Sequence, residues 1–213
     1  MQKQFFILIG RSGCGKGTQA ELLQKALEDP TSSLGNSKDY AGQGKGITNV
    51  VHITTGGGFR EFVARDTYVS GLARSVNDAG GLQPEFLAVW NWSNIFINTL
   101  KGGETIILDG APRKPFEVHV LHSAITFLGY EKPTVIYVDV SEKWAKERLL
   151  GRGRDDDKNE AEIARRLGWF ETEVLPTLDV YNNDPRYTIL HINGEQTIEE
   201  VHAEIIQKLD LVD

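Results

Sequence analysis

The chain has 213 residues, 40% of them hydrophobic and 25% charged, with a formal net charge of −7. That length carries one sizeable α/β core, and the acidic balance excludes the broad basic face that a nucleic-acid backbone requires. A single cysteine, Cys14, excludes an intrachain disulfide framework and any zinc site built on several thiolates.

The first element in chain order is the apolar run Phe5–Ile9. It is too short for a signal segment or a membrane span and has the length of a buried strand. A cytoplasmic protein with no membrane association is therefore expected. A helical pattern covers Gly15–Glu28. Thr31–Gly46 is rich in Gly and Ser and reads as a flexible surface loop, an insertion between elements. Strand Val50–Ile53 leads into Thr55–Gly81, a helical stretch with a Gly-rich entry that reads as a small lobe. Then come helix Pro84–Leu100, strand Thr105–Leu108, helix Pro115–Leu128, strand Thr134–Val138 and helix Glu142–Leu150. The charged loop Gly151–Asn159 separates that helix from the next, Glu160–Tyr181. Strand Tyr187–His191 and helix Ile198–Leu209 complete the order.

Each predicted strand is a near-continuous apolar run, the pattern of a strand buried on both faces. Alternation with helices predicts a doubly wound, right-handed, three-layer α/β/α fold around a five-stranded parallel sheet. One domain is expected, with its core at 1–53, 82–150 and 160–213, a lobe near 54–81 and a lid near 151–159.

The loop Gly10–Thr18 follows the first strand and opens the first helix. It satisfies G-x-x-x-x-G-K, the phosphate-loop pattern. Glycines let successive backbone N–H groups turn inward onto phosphate oxygens, and the helix N-terminus adds about half a positive charge. Lys16 supplies a mobile full charge. The hydroxyl comes one residue late, at Thr18. Cys14 reads as a small loop residue and not a nucleophile. Of the aromatics Trp90, Trp92 and Phe96, the last two are i,i+4 and read as helix packing in preference to base stacking.

Gly13-Cys14-Gly15-Lys16-Gly17-Thr18-Gln19-Ala20 resembles the adenylate kinase family of nucleoside monophosphate kinases. Further matches follow in the family's order: Thr54–Arg60, Gly80–Pro84, Asp109-Gly110-Ala111-Pro112-Arg113, then Arg148–Arg152, Arg154–Asp157 and Arg166, and finally Asn193-Gly194. The resemblance covers nearly the whole chain except Thr31–Gly46. It implies a P-loop kinase with a small helical monophosphate-binding lobe and a short lid without zinc. It implies magnesium-dependent, reversible transfer from ATP to AMP by a monomer. The donor would be held by Gly13, Cys14, Gly15, Lys16, Gly17, Thr18, Arg148, Arg152 and Gln196. The monophosphate would be held by Thr55, Arg60, Gly81, Leu82, Gln83, Gly110, Arg113, Glu117, Arg154 and Arg166. Catalysis would rest on Lys16 and on Arg113, Arg148, Arg152, Arg154 and Arg166, since Arg stays charged when desolvated and grips phosphate through two N–H groups. Asp109 would hold magnesium through its water shell. Asp156 and Asp157 would bond lid groups or pair with Arg154, and Arg165 reads as surface.

Two positions depart from the family pattern. Gly57 stands where an acidic residue is usual, so the entry helix is expected to start later or to lie closer to substrate. Glu117 stands where adenylate kinases commonly carry the Gln that reads AMP. An ionised Glu offers acceptors only, which suits guanine's N–H donors better than adenine N1. GMP, UMP or CMP is therefore the alternative acceptor. A small P-loop kinase acting on a metabolite hydroxyl, and a nucleotide-binding regulatory module without turnover, are the competing readings.

Overall fold

Side chains along β1 (Phe5–Gly10) alternate between two hydrophobic cores. Phe6 and Leu8 enter one core, while Phe5, Ile7 and Ile9 enter the other. The period of two that defines a strand thus feeds helices on both faces of a sheet. A computed structural model describes residues 3–36, 47, 49–79, 81–152 and 160–210.

The sheet comprises β1, β2 (Val50–Thr54), β3 (Thr105–Asp109), β4 (Thr134–Asp139) and β5 (Thr188–Asn193) in the order β2-β3-β1-β4-β5, with every pairing parallel. This is the expected three-layer α/β/α arrangement. The chain runs outward from β1 to β2, returns through β3, and then crosses to β4 and β5. Open sheets of this kind bind ligands outside the carboxyl ends of the strands, where the order reverses. Here those ends carry Gly10, Thr54, Asp109, Asp139 and Asn193.

One core packs under α1 (Lys16–Glu28), α7 (Glu142–Arg152), α8 (Glu160–Trp169) and α10 (Ile198–Asp210). The other packs under α5 (Glu85–Thr99), α6 (Pro115–Phe127) and α9 (Leu175–Asn182). Trp92 and Phe96 lie in it with ring centroids 5.4 Å apart, so they are packing residues. Local chemistry starts these helices where they start. Pro115 occupies the first turn of α6, where its missing N–H costs nothing. Thr197 caps α10: it accepts the Glu200 N–H at 3.2 Å, while Glu200 takes the Thr197 N–H at 3.0 Å.

Three elements differ from the sequence expectation. The predicted helix Glu160–Tyr181 is interrupted by one turn of π-helix, Phe170–Val174, in which Leu175 N–H donates to Phe170 O. Pro176 is the physical reason: it has no N–H for Thr172 O, and its ring crowds that carbonyl, which a wider turn relieves. The stretch Thr31–Gly46 is not wholly a surface loop. It begins with the short helix α2 (Ser33–Asn36), whose Leu34 is buried in the core; residues 37–46 lie outside the described set. The entry helix α3 (Thr55–Val63) does not start late; it begins directly after β2 despite Gly57. Its glycines allow close packing. A Cβ on Gly58 would lie 2.5 Å from Asn91 Oδ1, and Asn91 Nδ2 donates to Thr55 O at 2.9 Å.

The lobe continues through α4 (Tyr68–Asp78), capped reciprocally by Thr67 and Ser70, and it docks on α5 through Phe62, Ala73 and Leu87. Among the described residues no helix is long and apolar enough to cross a membrane.

Candidate active site

A cleft of about 1550 Å³ opens along the carboxyl ends of β1, β2 and β3. One side of it is the phosphate loop. Gly13 takes φ 89° and Gly15 takes φ 95°, conformations that side chains rarely adopt. A Cβ on Gly13 would also strike Ala145 O at 2.7 Å. Gly15 caps α1, so that helix points its positive end into the loop. Lys16 Nζ sits inside the loop, 3.0 Å from Gly10 O and 3.0 Å from Arg11 O. Gly17 and Thr18 line the cleft beside it. Cys14 does not: it is buried, with its sulfur 3.7 Å from Lys16 Nζ.

Asp109 ends β3 opposite the first turn of α1, with Oδ2 3.3 Å from where a Cβ on Gly17 would be. This carboxylate lines the cleft with Thr18 and Glu21. A hard, water-keeping cation beside phosphates calls for one or two carboxylates of this kind. The donor set therefore fits magnesium held through water.

Another side is built by α3, the turn before α5, and the segment from Gly110 to Glu117. Thr55 Oγ1 donates to Asp109 O at 3.4 Å. Gly110 has φ 89°, and a Cβ there would lie 2.7 Å from Thr55 Oγ1, so only glycine permits this approach. Arg60, Gly81 and Leu82 line the same side. Gln83 lines it too, with Nε2 donating to Ala73 O at 2.9 Å and to Asn77 Oδ1 at 2.6 Å.

Arg113 Nε donates to Gly110 O at 3.0 Å. Its side chain is reached by solvent through the open cleft, while protein encloses it on its other sides. That enclosure lowers the guanidinium's pKa, Glu117 and Asp109 raise it back, and the nearby Arg166 lowers it further. Glu117 is 3% exposed at the cleft wall and accepts the Arg113 N–H at 3.3 Å. Burial pushes its carboxyl up, against the pull of the Arg113 N–H and guanidinium.

Arg166 on α8 lines the cleft and donates to Ser12 Oγ at 3.2 Å. Arg148 is on the rim, with its guanidinium 5.2 Å from the Trp144 ring centroid. The structure therefore brings Lys16, Arg60, Arg113, Arg148 and Arg166 to one cavity. Arg152 closes α7, two residues beyond the helix end expected from sequence, so the segment between α7 and α8 starts at 153. Arg154, Asp156, Asp157 and the expected lid lie outside the described residues, as does the Arg152 side chain. Gln196 is not brought to the cleft: its amide donates to Asn193 O and to Glu204 Oε2, both at 2.8 Å. Arg165, read as surface, donates to Ala79 O and so ties α8 to the lobe.

Sequence reasoning missed Arg11, Ser12, His52, Trp144 and Trp169 in the lining. Trp144 was detectable, being i,i+4 from Arg148 on one helix face. His52 was not, because a strand residue within an apolar run reads as core. Its burial lowers its pKa, and Asp109 and Glu21 pull it back.

Comparison with known proteins gives one consistent result. Residues 9–164 match a family model described as an AAA domain. The chain is 31% identical to an adenylate kinase of Corynebacterium urealyticum over 96% of this chain and 98% of that protein. It is 32% identical to adenylate kinase 1 of Nostoc sp., over 93% of this chain and 95% of that protein. It is 30% identical to an adenylate kinase of Oenococcus oeni, over 90% and 91% respectively. A phosphate loop in one cleft with several arginines, and relatives of this kind along nearly the whole length, place the chain in the adenylate kinase family.

Proposed function

We propose that the protein transfers the γ-phosphoryl group of ATP reversibly to AMP, giving two ADP. The observation that carries this reading is the facing of two anion-binding walls across one cleft: Lys16 and the α1 N-terminus on one side, Arg60 and Arg113 on the other. An oxygen of the acceptor phosphate attacks the γ-phosphorus of ATP. The bond from that phosphorus to the β,γ-bridging oxygen breaks, and the electron pair leaves with ADP. No covalent nucleophile is required, because such transfer depends on positioning and on neutralising charge spread over the phosphoryl oxygens.

The loop N–H groups hold the β-phosphate, and Lys16 follows the charge of the group in flight. Arg113 holds the acceptor phosphate, and Arg166 faces it from α8. Arg148 at the cleft neutralises the charge in flight, a role that the family resemblance extends to Arg152 and Arg154, and exclusion of water there protects ATP from hydrolysis. Magnesium held through water by Asp109 would supply charge neutralisation between phosphates when bound.

Glu117 decides the acceptor base. Its burial favours the neutral carboxyl, which offers one donor and one acceptor, as a Gln amide does. That pair matches adenine N1 and N6–H and supports AMP over GMP. The test is a coupled assay with ATP, magnesium and each of AMP, GMP, UMP and CMP. Phosphorylation of AMP far above the others is expected. Preference for GMP, UMP or CMP refutes AMP as acceptor, and ATP binding without turnover on any acceptor points to a regulatory module.

A further inference from the structure

Arg11 stands at the first variable position of the phosphate loop and lines the cleft, yet its guanidinium is engaged by protein groups. The side chain is 12% exposed. Nε donates to Val140 O at 3.1 Å, Nη2 pairs with Glu171 Oε1, and Nη1 is buried from solvent. The guanidinium carbon lies over the Phe170 ring, 4.0 Å from its centroid, a cation–π contact. Phe170 in turn stacks on Tyr137 of β4, with ring centroids 6.3 Å apart and planes 15° apart. Both partners of Arg11 on this side, Phe170 and Glu171, belong to the π turn. One wide turn thus places consecutive residues below and beside the same guanidinium.

The other end of Arg11 reaches the catalytic lysine. Its carbonyl accepts Lys16 Nζ at 3.0 Å and the Cys14 N–H at 3.2 Å. Those two bonds shape the loop and seat the ammonium. A continuous chain of contacts therefore runs from Glu171, through the Arg11 side chain and carbonyl, to Lys16.

We infer that Arg11 and Glu171 form a positioning pair for the donor site, holding the first turn of the phosphate loop on the π turn so that Lys16 is seated for a nucleoside triphosphate. Neither residue touches the reacting atoms. The pair acts through the Arg11 carbonyl, and it rests on the proposal that this loop holds ATP. Arg166, one helix turn earlier, bonds Ser12 and adds a second tie between the same two elements.

The test is calorimetric binding of ATP and of AMP to wild type, Arg11→Ala, Glu171→Ala and the double variant. Each single change should weaken ATP about fivefold, the scale of one half-exposed charge-assisted contact. The double variant should be no worse than the weaker single one, because the two residues act as one unit. AMP affinity should change less than about twofold and the unfolding temperature by less than about 4 °C, so that a general loss of structure is distinguishable. Additive losses of about 25-fold for ATP overturn the pair. Equal losses for ATP and AMP overturn it as well. Wild-type protein that binds no ATP overturns both the pair and the proposed donor site.

Discussion

The Arg113 N–H donates to Glu117 Oε1 at 3.3 Å, so a residue of the cleft wall also reaches back over the start of its own helix. Glu117 is the third residue of α6, behind Pro115, and its carboxyl both caps the helix and closes the cleft wall. Helix start and cleft wall are thus one feature here. The two roles make different demands on the proton.

Burial raises the Glu117 pKa above its ordinary value of 4.5, so the charged form is the one penalised in the folded state. The stability linked to this group is fully present below the unfolded pKa and is lost as pH rises through the folded one. Glu117→Gln removes that dependence. The unfolding temperature of wild type relative to the Gln variant should therefore fall as pH rises above about 4.5, measured in a series up to pH 8. In the same series kcat/KM for AMP should drop with pH in wild type more steeply than in the variant. A constant difference between the two proteins refutes the account of Glu117.

Lys16→Ala should leave the fold intact and lower turnover by about 10²–10³, the usual effect of removing one preorganised group from a transition-state site. Among the described residues the ammonium bonds only loop carbonyls and one thiol, so the unfolding temperature should shift little. Steady-state kinetics with circular dichroism as a fold control checks this. Turnover within about threefold of wild type would remove the lysine from the mechanism.

Gly13→Ala should lose both ATP binding and stability. The added Cβ meets Ala145 O at 2.7 Å and Leu149 Cγ at 2.9 Å, at φ 89°. Neither a helix carbonyl nor a buried Leu withdraws cheaply, so overpacking of about 1–3 kcal/mol is expected. Thermal unfolding should fall by about 2–12 °C for a chain of this size. An unchanged unfolding temperature would show that α7 yields.

Asn91→Ala should act on the acceptor half. Asn91 is buried, and its Nδ2 donates to Thr55 O at 2.9 Å, tying α5 to the start of α3. Leaving that carbonyl unpaired should cost about 1–3 kcal/mol. The KM for the monophosphate should rise several-fold while that for ATP stays near wild type. Equal changes for both substrates would place the effect in the general fold and not in the lobe.

Much of the donor half was legible in the sequence. Gly13, Gly15 and Lys16 lie within seven consecutive residues of the loop after β1, and local spacing is enough to aim N–H groups and an ammonium at one point. The acceptor half was legible only through motifs, because Arg60, Arg113 and Arg166 are far apart in the chain. Gln196 shows the limit of that route: a polar residue beside the right loop bonded to Asn193 and Glu204 instead. Gly57 shows another, since α3 starts at Thr55 without the acidic residue usual there.

By itself the sequence determined the strand and helix order, the buried sheet and the phosphate loop, because each depends on near neighbours: periodicity, glycine spacing, and Pro or Thr at helix starts. Only the tertiary structure decided which distant side chains meet. The π turn at Phe170–Val174, which seats Phe170 and Glu171 on Arg11, follows from Pro176 and from packing against β4 together. The neutral tendency of Glu117 likewise comes from burial beneath neighbours on other elements, which no local pattern records.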